Sequence, residues 1–250
     1  MRLAKRIAES GVASRREAER LIEAGRVAVD GKIATTPVFF VEDQSEISVD
    51  GKILAPKSEK IIIWKFHKPR GVISTKSDPQ KRKTVFDFFP KTERRLIYVG
   101  RLDYNSEGLL LFTNNGDIAR KLELPSAGLK RIYRAKVFGR LTDEKIRELE
   151  KGATVDGIRY RPAIIKRDNL AVGKANSWIT ATLFEGKNRE IRKMMESVGC
   201  VVNRLIRISY GQFNLDDLPP GGISQVSEGE IKKLLRKLAG ESTKPKLSKL

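Results

Sequence analysis

Apolar residues Leu3, Ile7 and Ala8 recur at helical spacing near the start of the chain, and Gly11 breaks the pattern. A second helix is predicted over "SRREAERLIEAG". There Ser14 and Glu17 have capping-box spacing, Ala18, Leu21 and Ile22 line one face, and Gly25 supplies the stop. The pattern then shortens to the alternation of "RVAVDGKI", where valines around an Asp-Gly pair predict a hairpin. A second Asp-Gly pair, Asp50 and Gly51, closes the short strand "EISV". Two helices and a small sheet are expected, ending near "LAPKSEK", where proline and charge mark a linker and set the first domain at residues 1–57.

From Ile61 onward short β-favouring runs dominate: "IIIWKF", "LIYVG", "GLLLFT", "RIYRAKV", "WITATLF" and "NRLIRIS". Helical segments fall between them. "DIARKLEL" has Asp117 in the N-cap position, "TDEKIRELEKG" runs from Thr142 to Gly152, and "REIRKMMESVG" stops at Gly199. "SEGEIKKLLRKLAG" repeats the capping box with Ser227 and Glu230 and stops at Gly240. Strands and helices do not alternate regularly, so residues 58–240 are expected to form an α+β domain with a mixed, mostly antiparallel sheet. "ESTKPKLSKL", residues 241–250, lacks a core pattern, carries Lys244, Lys246 and Lys249, and reads as a disordered basic tail.

Charge narrows the function. Lysine and arginine number 50 against 31 acids, a net charge of +19 over 250 residues, which directs the protein toward a polyanion. The first segment to Lys57 is nearly neutral, so its positive charge must be local. Arg15, Arg16 and Arg20 crowd the second helix, with Arg26 and Lys32 just beyond, an arrangement suited either to phosphates or to a solvated face paired with Glu19 and Glu23. The N-terminus lacks the apolar stretch of a secretory signal and no run is long enough to cross a bilayer, so a cytoplasmic protein is expected. One cysteine, Cys200, and one histidine, His67, provide no disulfide framework and no zinc ligand set. His67, in "WKFHKPRG", has no adjacent nucleophile and is read as structural. Neither nucleotide-binding glycine motif occurs, which leaves carboxylates, tyrosines and cations to carry any chemistry.

"GRLDYNSEGLLLFTNNGD" holds the carboxylate that invites attention. Asp103 follows an apolar run and precedes Tyr104, Asn105 and Ser106, which is ordinary turn chemistry. A loop rising from a sheet can equally hold a carboxylate rigidly and aim it at a ligand. Such an acid needs a cation, and Arg192 in "EGKNREIRKMM" could form a bidentate pair with it. Lys187, Arg189 and Lys193 are expected as phosphate contacts.

The order of helices, "SRR.AE.LI..G.V.V.G" and hairpin resembles the S-four type RNA-binding domain. "KPRG" (Lys68 to Gly71), the Asp103 stretch, "KRIYRAKV", "EGKNREIRKMMESVG" and "NRLIRISYG" follow in an order that resembles the ribosomal RNA pseudouridine synthases, a family with small-subunit and large-subunit members. The resemblance covers nearly the entire chain. It implies a cofactor-free isomerase, expected to act as a monomer on ribosomal RNA or a pre-ribosomal particle, that detaches uracil from ribose and rejoins it through carbon 5. Asp103 then matches the essential aspartate, Tyr133 the tyrosine that packs on the target base, and Arg192 the aspartate's basic partner. Arg101 matches a residue that enters the RNA stack vacated by the flipped nucleotide, and Lys68 is grouped with the RNA contacts. Ser106 stands where threonine is common and keeps the hydroxyl. The ending "RLIRISYGQFNLDDLPPGG" resembles large-subunit members more than small-subunit ones. The alternatives are the same chemistry on small-subunit RNA, or a non-catalytic RNA-binding or ribosome-assembly protein, which would have no use for an acid in a groove built for phosphates.

Overall fold

The computed structural model describes residues 1–55, 60–90, 96–168 and 176–240. The expected linker boundary at residues 57 and 58, and the basic tail at 241–250, lie outside them. The chain divides into two compact units, one built on the residues up to Ile61, the other carrying Ile62–Pro90, Tyr98–Phe112 and the chain from Asp117.

In the first unit α1 (Leu3–Ser10) ends at Gly11 with φ +81°, and α2 (Arg15–Glu23) begins at Ser14, whose hydroxyl accepts a hydrogen bond from the Glu17 amide at 3.2 Å. Strands β1 (Val27–Val29), β2 (Lys32–Ala34), β3 (Ile47–Val49) and β4 (Lys52–Ile53) form a sheet in the order β2-β1-β3-β4. Both Asp-Gly pairs take positive φ at both residues, the geometry that lets a two-residue turn follow strand twist. Leu3, Ile7, Leu21 and Ile22 from the helices pack with Val27, Ile47 and Val49 from the sheet in one buried cluster.

The second unit is built on a mixed sheet. Its strands are β5 (Ile63–Lys68), β6 (Ile97–Val99), β7 (Glu107–Thr113), β8 (Arg131–Phe138), β11 (Ile164–Arg167), β12 (Asn176–Leu183), β13 (Val201–Tyr210), β14 (Phe213–Asn214) and β15 (Ile223–Gln225). A separate hairpin joins β9 (Ala153–Val155) and β10 (Ile158–Tyr160). The sheet order is β11-β12-β8-β13-β7-β5-β15, with β14 beside β13 and β6 beside β7. β13 runs parallel to β7, while the β8–β13, β8–β12, β11–β12 and β5–β15 pairs are antiparallel. Helices α3 (Gly116–Glu123), α4 (Asp143–Glu150), α5 (Glu190–Ser197) and α6 (Glu228–Leu238) complete the unit. The α+β expectation holds. Helix α3 starts at Gly116, so Asp117 stands in its first turn instead of capping it. β9 and β10 were not among the expected strands, although "TVDGIRY" carries their signal, an Asp-Gly pair flanked by β-favouring residues.

β7 is buried along its whole length, which explains its unbroken apolar run. Gly108, with φ +105°, faces Arg207 across the β7–β13 pair. A β-carbon there would sit 2.3 Å from the Arg207 carbonyl oxygen and 2.5 Å from its amide nitrogen. Gly108→Ala is expected to destabilise the protein by about 3 kcal/mol or more in urea unfolding, because two backbones would have to part. Gly157→Ala, at φ +73° with open space around the new atom, should cost only about 1 kcal/mol.

Candidate active site

Asp103 sits in a turn between β6 and β7, and the turn is held at every carbonyl. The Ser74 hydroxyl donates to Leu102 O at 2.8 Å, and the Ser106 amide donates to Asp103 O at 2.9 Å. Tyr104 O accepts from the Gly71 amide at 2.9 Å, Asn105 O from the Arg192 guanidinium at 3.2 Å, and Ser106 O from the Lys68 ammonium at 2.8 Å. A backbone with its acceptors so fully engaged has little freedom to drift. The Asp103 carboxylate itself is half-buried on the wall of a cavity of about 490 Å³.

The cavity's buried wall is the sheet. Tyr133 on β8 is 8% exposed and lies directly opposite Arg207 on β13. Arg131, Leu183 and Leu205 continue that face, and Tyr210 closes it. Tyr210 is fixed by a hydrogen bond from its hydroxyl to Leu122 O at 2.9 Å and by one received from Arg131 at 3.1 Å. Exposed Arg101, Lys187, Asn188 and Arg189 stand at the open side. Arg189 holds φ +52°, a left-handed position that a side chain adopts at a cost, at the start of α5.

Two expectations need correction. Arg192 does not pair with Asp103: its guanidinium donates to Val202 O at 2.6 Å and to Asn105 O. It reaches the aspartate through the backbone of the same turn and through its charge. Burial pushes the Arg192 guanidinium below its ordinary value, Arg189 adds repulsion, and Asp103 acts in the opposite sense. Lys68 is no RNA contact. Its side chain is 0% exposed, and its ammonium donates to Ser106 O and to Pro69 O at 3.1 Å. Burial pushes it down to about 8 against the pull of Asp103 and Glu107. Both cations anchor the aspartate's turn from beneath.

The remaining basic candidates fall into two groups. Arg20 lies 3.3 Å from Glu17, Arg26 grips Asp50 with two hydrogen bonds at 2.7 and 2.6 Å, and Lys193 lies 2.9 Å from Asp156. Lys187 lies 3.1 Å from Glu185 and donates to the Arg159 carbonyl. Arg15, Arg16, Lys32 and Arg101 are exposed, with no acid in ion-pair range among the described residues. The sequence reading missed Glu190 and Arg207, both buried and both lining the cavity. The signal for Arg207 was available: it occupies an inward position of an alternating strand, where an uncompensated charge is unusual.

Residues 62–197 match the RNA pseudouridylate synthase family and residues 1–47 match the S4 domain. The chain belongs to the RNA pseudouridylate synthase family. An uncharacterized RNA pseudouridine synthase of Rickettsia felis is 46% identical over 232 residues, covering 93% of this chain and 99% of that protein. Ribosomal large subunit pseudouridine synthase B of Salmonella typhi is 43% identical over 233 residues, covering 90% of this chain and 79% of that one. The fold is similar to a crystal structure of a pseudouridylate synthase with a TM-score of 0.66 at 24% identity, covering 94% of this chain and 99% of that one. This pseudouridine synthase has, among the described residues, no helix long and apolar enough to cross a membrane.

Glu190 shows how tightly this wall is closed. One carboxylate oxygen accepts from the Lys187 amide at 3.0 Å, while the other is buried without a partner. Burial, reinforced by Glu185, pushes the carboxyl up to about 7 from 4.5. Well below pH 4.5 the group is neutral whether the chain is folded or unfolded, so it carries no penalty. Between there and pH 7 the unfolded chain releases the proton and the folded one retains it, so stability falls, by about 3 kcal/mol at most, and stays lowered above pH 7. Glu190→Gln should therefore melt at a higher temperature than the parent at about pH 8 and at the same temperature at about pH 3.5. Thermal unfolding at the two pH values checks this.

Proposed function

We propose that this enzyme converts a uridine of ribosomal RNA, in a stem-loop of the large subunit, to pseudouridine, with Asp103 as the catalytic carboxylate and the target nucleotide flipped into the Asp103 cavity. The observation that carries the reading is the immobilised Asp103 turn on the wall of a cavity whose buried side bears Tyr133. The reaction exchanges one glycosidic bond for another: the C1′–N1 bond breaks, C1′ bonds to C5, the C5 proton leaves and N1 gains one. Nothing is oxidised and no atom is added, so the transformation needs no redox cofactor. Asp103 serves by attacking the ribose or the base, or by assisting cleavage through a glycal intermediate. Tyr133 offers its ring to the base. Arg192 and Lys68 act through the turn they hold, as positioning residues.

A uridine within a stem must leave its stack at a cost of roughly a few kcal/mol, and the planar guanidinium of exposed Arg101 is suited to recover part of that stacking. The large-subunit target is supported by the similarity to the Salmonella typhi enzyme of that description. Mapping pseudouridine in ribosomal RNA from cells with and without the protein tests it: loss of a large-subunit modification is expected, and loss confined to small-subunit RNA would overturn the target. Asp103→Asn should abolish tritium release from 5-tritiated uridine in a single turnover while binding of the same stem-loop stays within about threefold, since the side chain keeps its shape and loses its charge.

The first unit is proposed to supply affinity through phosphates. Arg20 and Arg26 are already engaged with acids, which leaves Arg15 and Arg16 as the helix's freer cations. Replacing both with Gln should flatten the dependence of log affinity on log salt by about 1.4 to 1.8, from 0.7 to 0.9 per phosphate contact, with little change in turnover at saturating RNA. An unchanged slope would mark the two arginines as a solvated face.

A further inference from the structure

Arg207 is the group that the cavity leaves unexplained. Its side chain is 2% exposed, it lines the cavity, and one of its terminal nitrogens is buried with no hydrogen-bond partner. The guanidinium is held at its base: Nε donates to Leu109 O at 2.7 Å, and the charged carbon lies 5.0 Å from the centre of the Tyr210 ring. No acid lies in ion-pair range of it among the described residues. A buried cation with an idle donor is costly, and sites that bind charge developing in a reaction are where such groups persist.

Its place in the sheet says what it meets. Arg207 is the direct cross-strand neighbour of Tyr133, and the ladder shifts register between Arg207 and Ser209, a bulge that re-aims side chains beside it. On its other side stands Gly108, which has no side chain to cover it. A polynucleotide enters and leaves the cavity through its open side, so the phosphates flanking a flipped nucleotide stay near exposed Arg101, Lys187 and Arg189. Only the base reaches the sheet. A base lying on Tyr133 therefore brings its edge to Arg207, and uracil offers two acceptors there, O2 and O4.

Resting on the reading of the cavity as a uridine-isomerising site, we propose that Arg207 is a catalytic residue that donates a hydrogen bond to a uracil carbonyl and stabilises the base as it departs. When the C1′–N1 bond breaks, its electron pair stays with N1 and spreads onto O2 and O4. Arg207 keeps its own proton throughout; its charge offsets the new negative charge until C5 bonds to C1′. The neighbouring cation cannot do this. Arg131 already spends its terminal nitrogens on Leu129 O at 3.1 Å and on the Tyr210 hydroxyl.

The test pairs protein and substrate changes, with the stem-loop identified by mapping and its 2-thio and 4-thio derivatives at the target uridine as probes. Arg207→Gln should slow single-turnover isomerisation by about 10²- to 10³-fold, the usual loss on removing one donor to developing charge, while stem-loop affinity changes less than about threefold. A thiocarbonyl accepts hydrogen bonds poorly, so one thio position should slow the parent enzyme and have little further effect on Arg207→Gln. Additive effects at both positions would overturn the contact, as would a variant whose main defect is weaker, less salt-dependent binding, which would assign Arg207 to a phosphate. If Arg207→Gln does not fold by circular dichroism, the parent enzyme still decides: turnover insensitive to both thio substitutions overturns the proposal. A parent enzyme inactive on every uridine stem-loop would instead defeat the cavity reading itself.

Discussion

The site depends on one constraint, the engagement of five consecutive carbonyl oxygens from Leu102 to Ser106. A turn between two strands ordinarily turns its carbonyls to water and moves with it. Here the donors are a hydroxyl, two amides, a guanidinium and an ammonium, all but the turn's own Ser106 amide delivered by segments remote in the chain. Ser74 and Gly71 come from the segment after β5, Lys68 from its end, and Arg192 from α5. A carboxylate mounted on such a turn is positioned by the whole second unit, which is what chemistry requiring placement to within a fraction of an ångström demands.

The same arrangement sets the local electrostatics. Lys68 and Arg192 are buried beneath Asp103, close enough for its charge to act on both, yet neither is spent on a direct ion pair with it. Their protons go to carbonyl oxygens, leaving the carboxylate oxygens toward the cavity. A bidentate pair would have neutralised the carboxylate in place. Buried cations held one step away bring positive charge to the turn without occupying the carboxylate. Glu107 belongs to this layer: buried on β7, it is held by Arg204 through two hydrogen bonds at 2.9 and 2.8 Å and acts on Lys68 through its charge.

Charge on the outer surface follows a different economy. The net charge is +19, but of the expected RNA contacts Arg20, Arg26, Lys187 and Lys193 are already matched by acids at short range. Exposed pairs of this kind contribute little to stability and are readily exchanged for a phosphate. Arg26 is the exception in geometry, since its guanidinium meets both oxygens of Asp50. That pair joins the residue before β1 to the turn between β3 and β4, so Arg26 ties the small sheet together.

Much of the framework was legible in order along the chain. Ser14, Thr142 and Ser227 cap their helices as read, because a cap is a contact between residues three apart. The two Asp-Gly turns of the first unit followed for the same reason, and Asp103 stood out because its motif is contiguous. What a residue does when its partner is remote was not legible. Lys68 looked like a surface cation in a basic stretch and is an internal anchor; Arg192 looked like the aspartate's ion-pair partner and holds its backbone instead; Arg207 drew no attention and lines the cavity wall. The sequence by itself determined the local elements, the family and the candidate carboxylate, since these rest on short-range spacing. Only the tertiary structure decided which cations are buried, because burial depends on which strands become neighbours, and a charge changes its role once water is removed from around it.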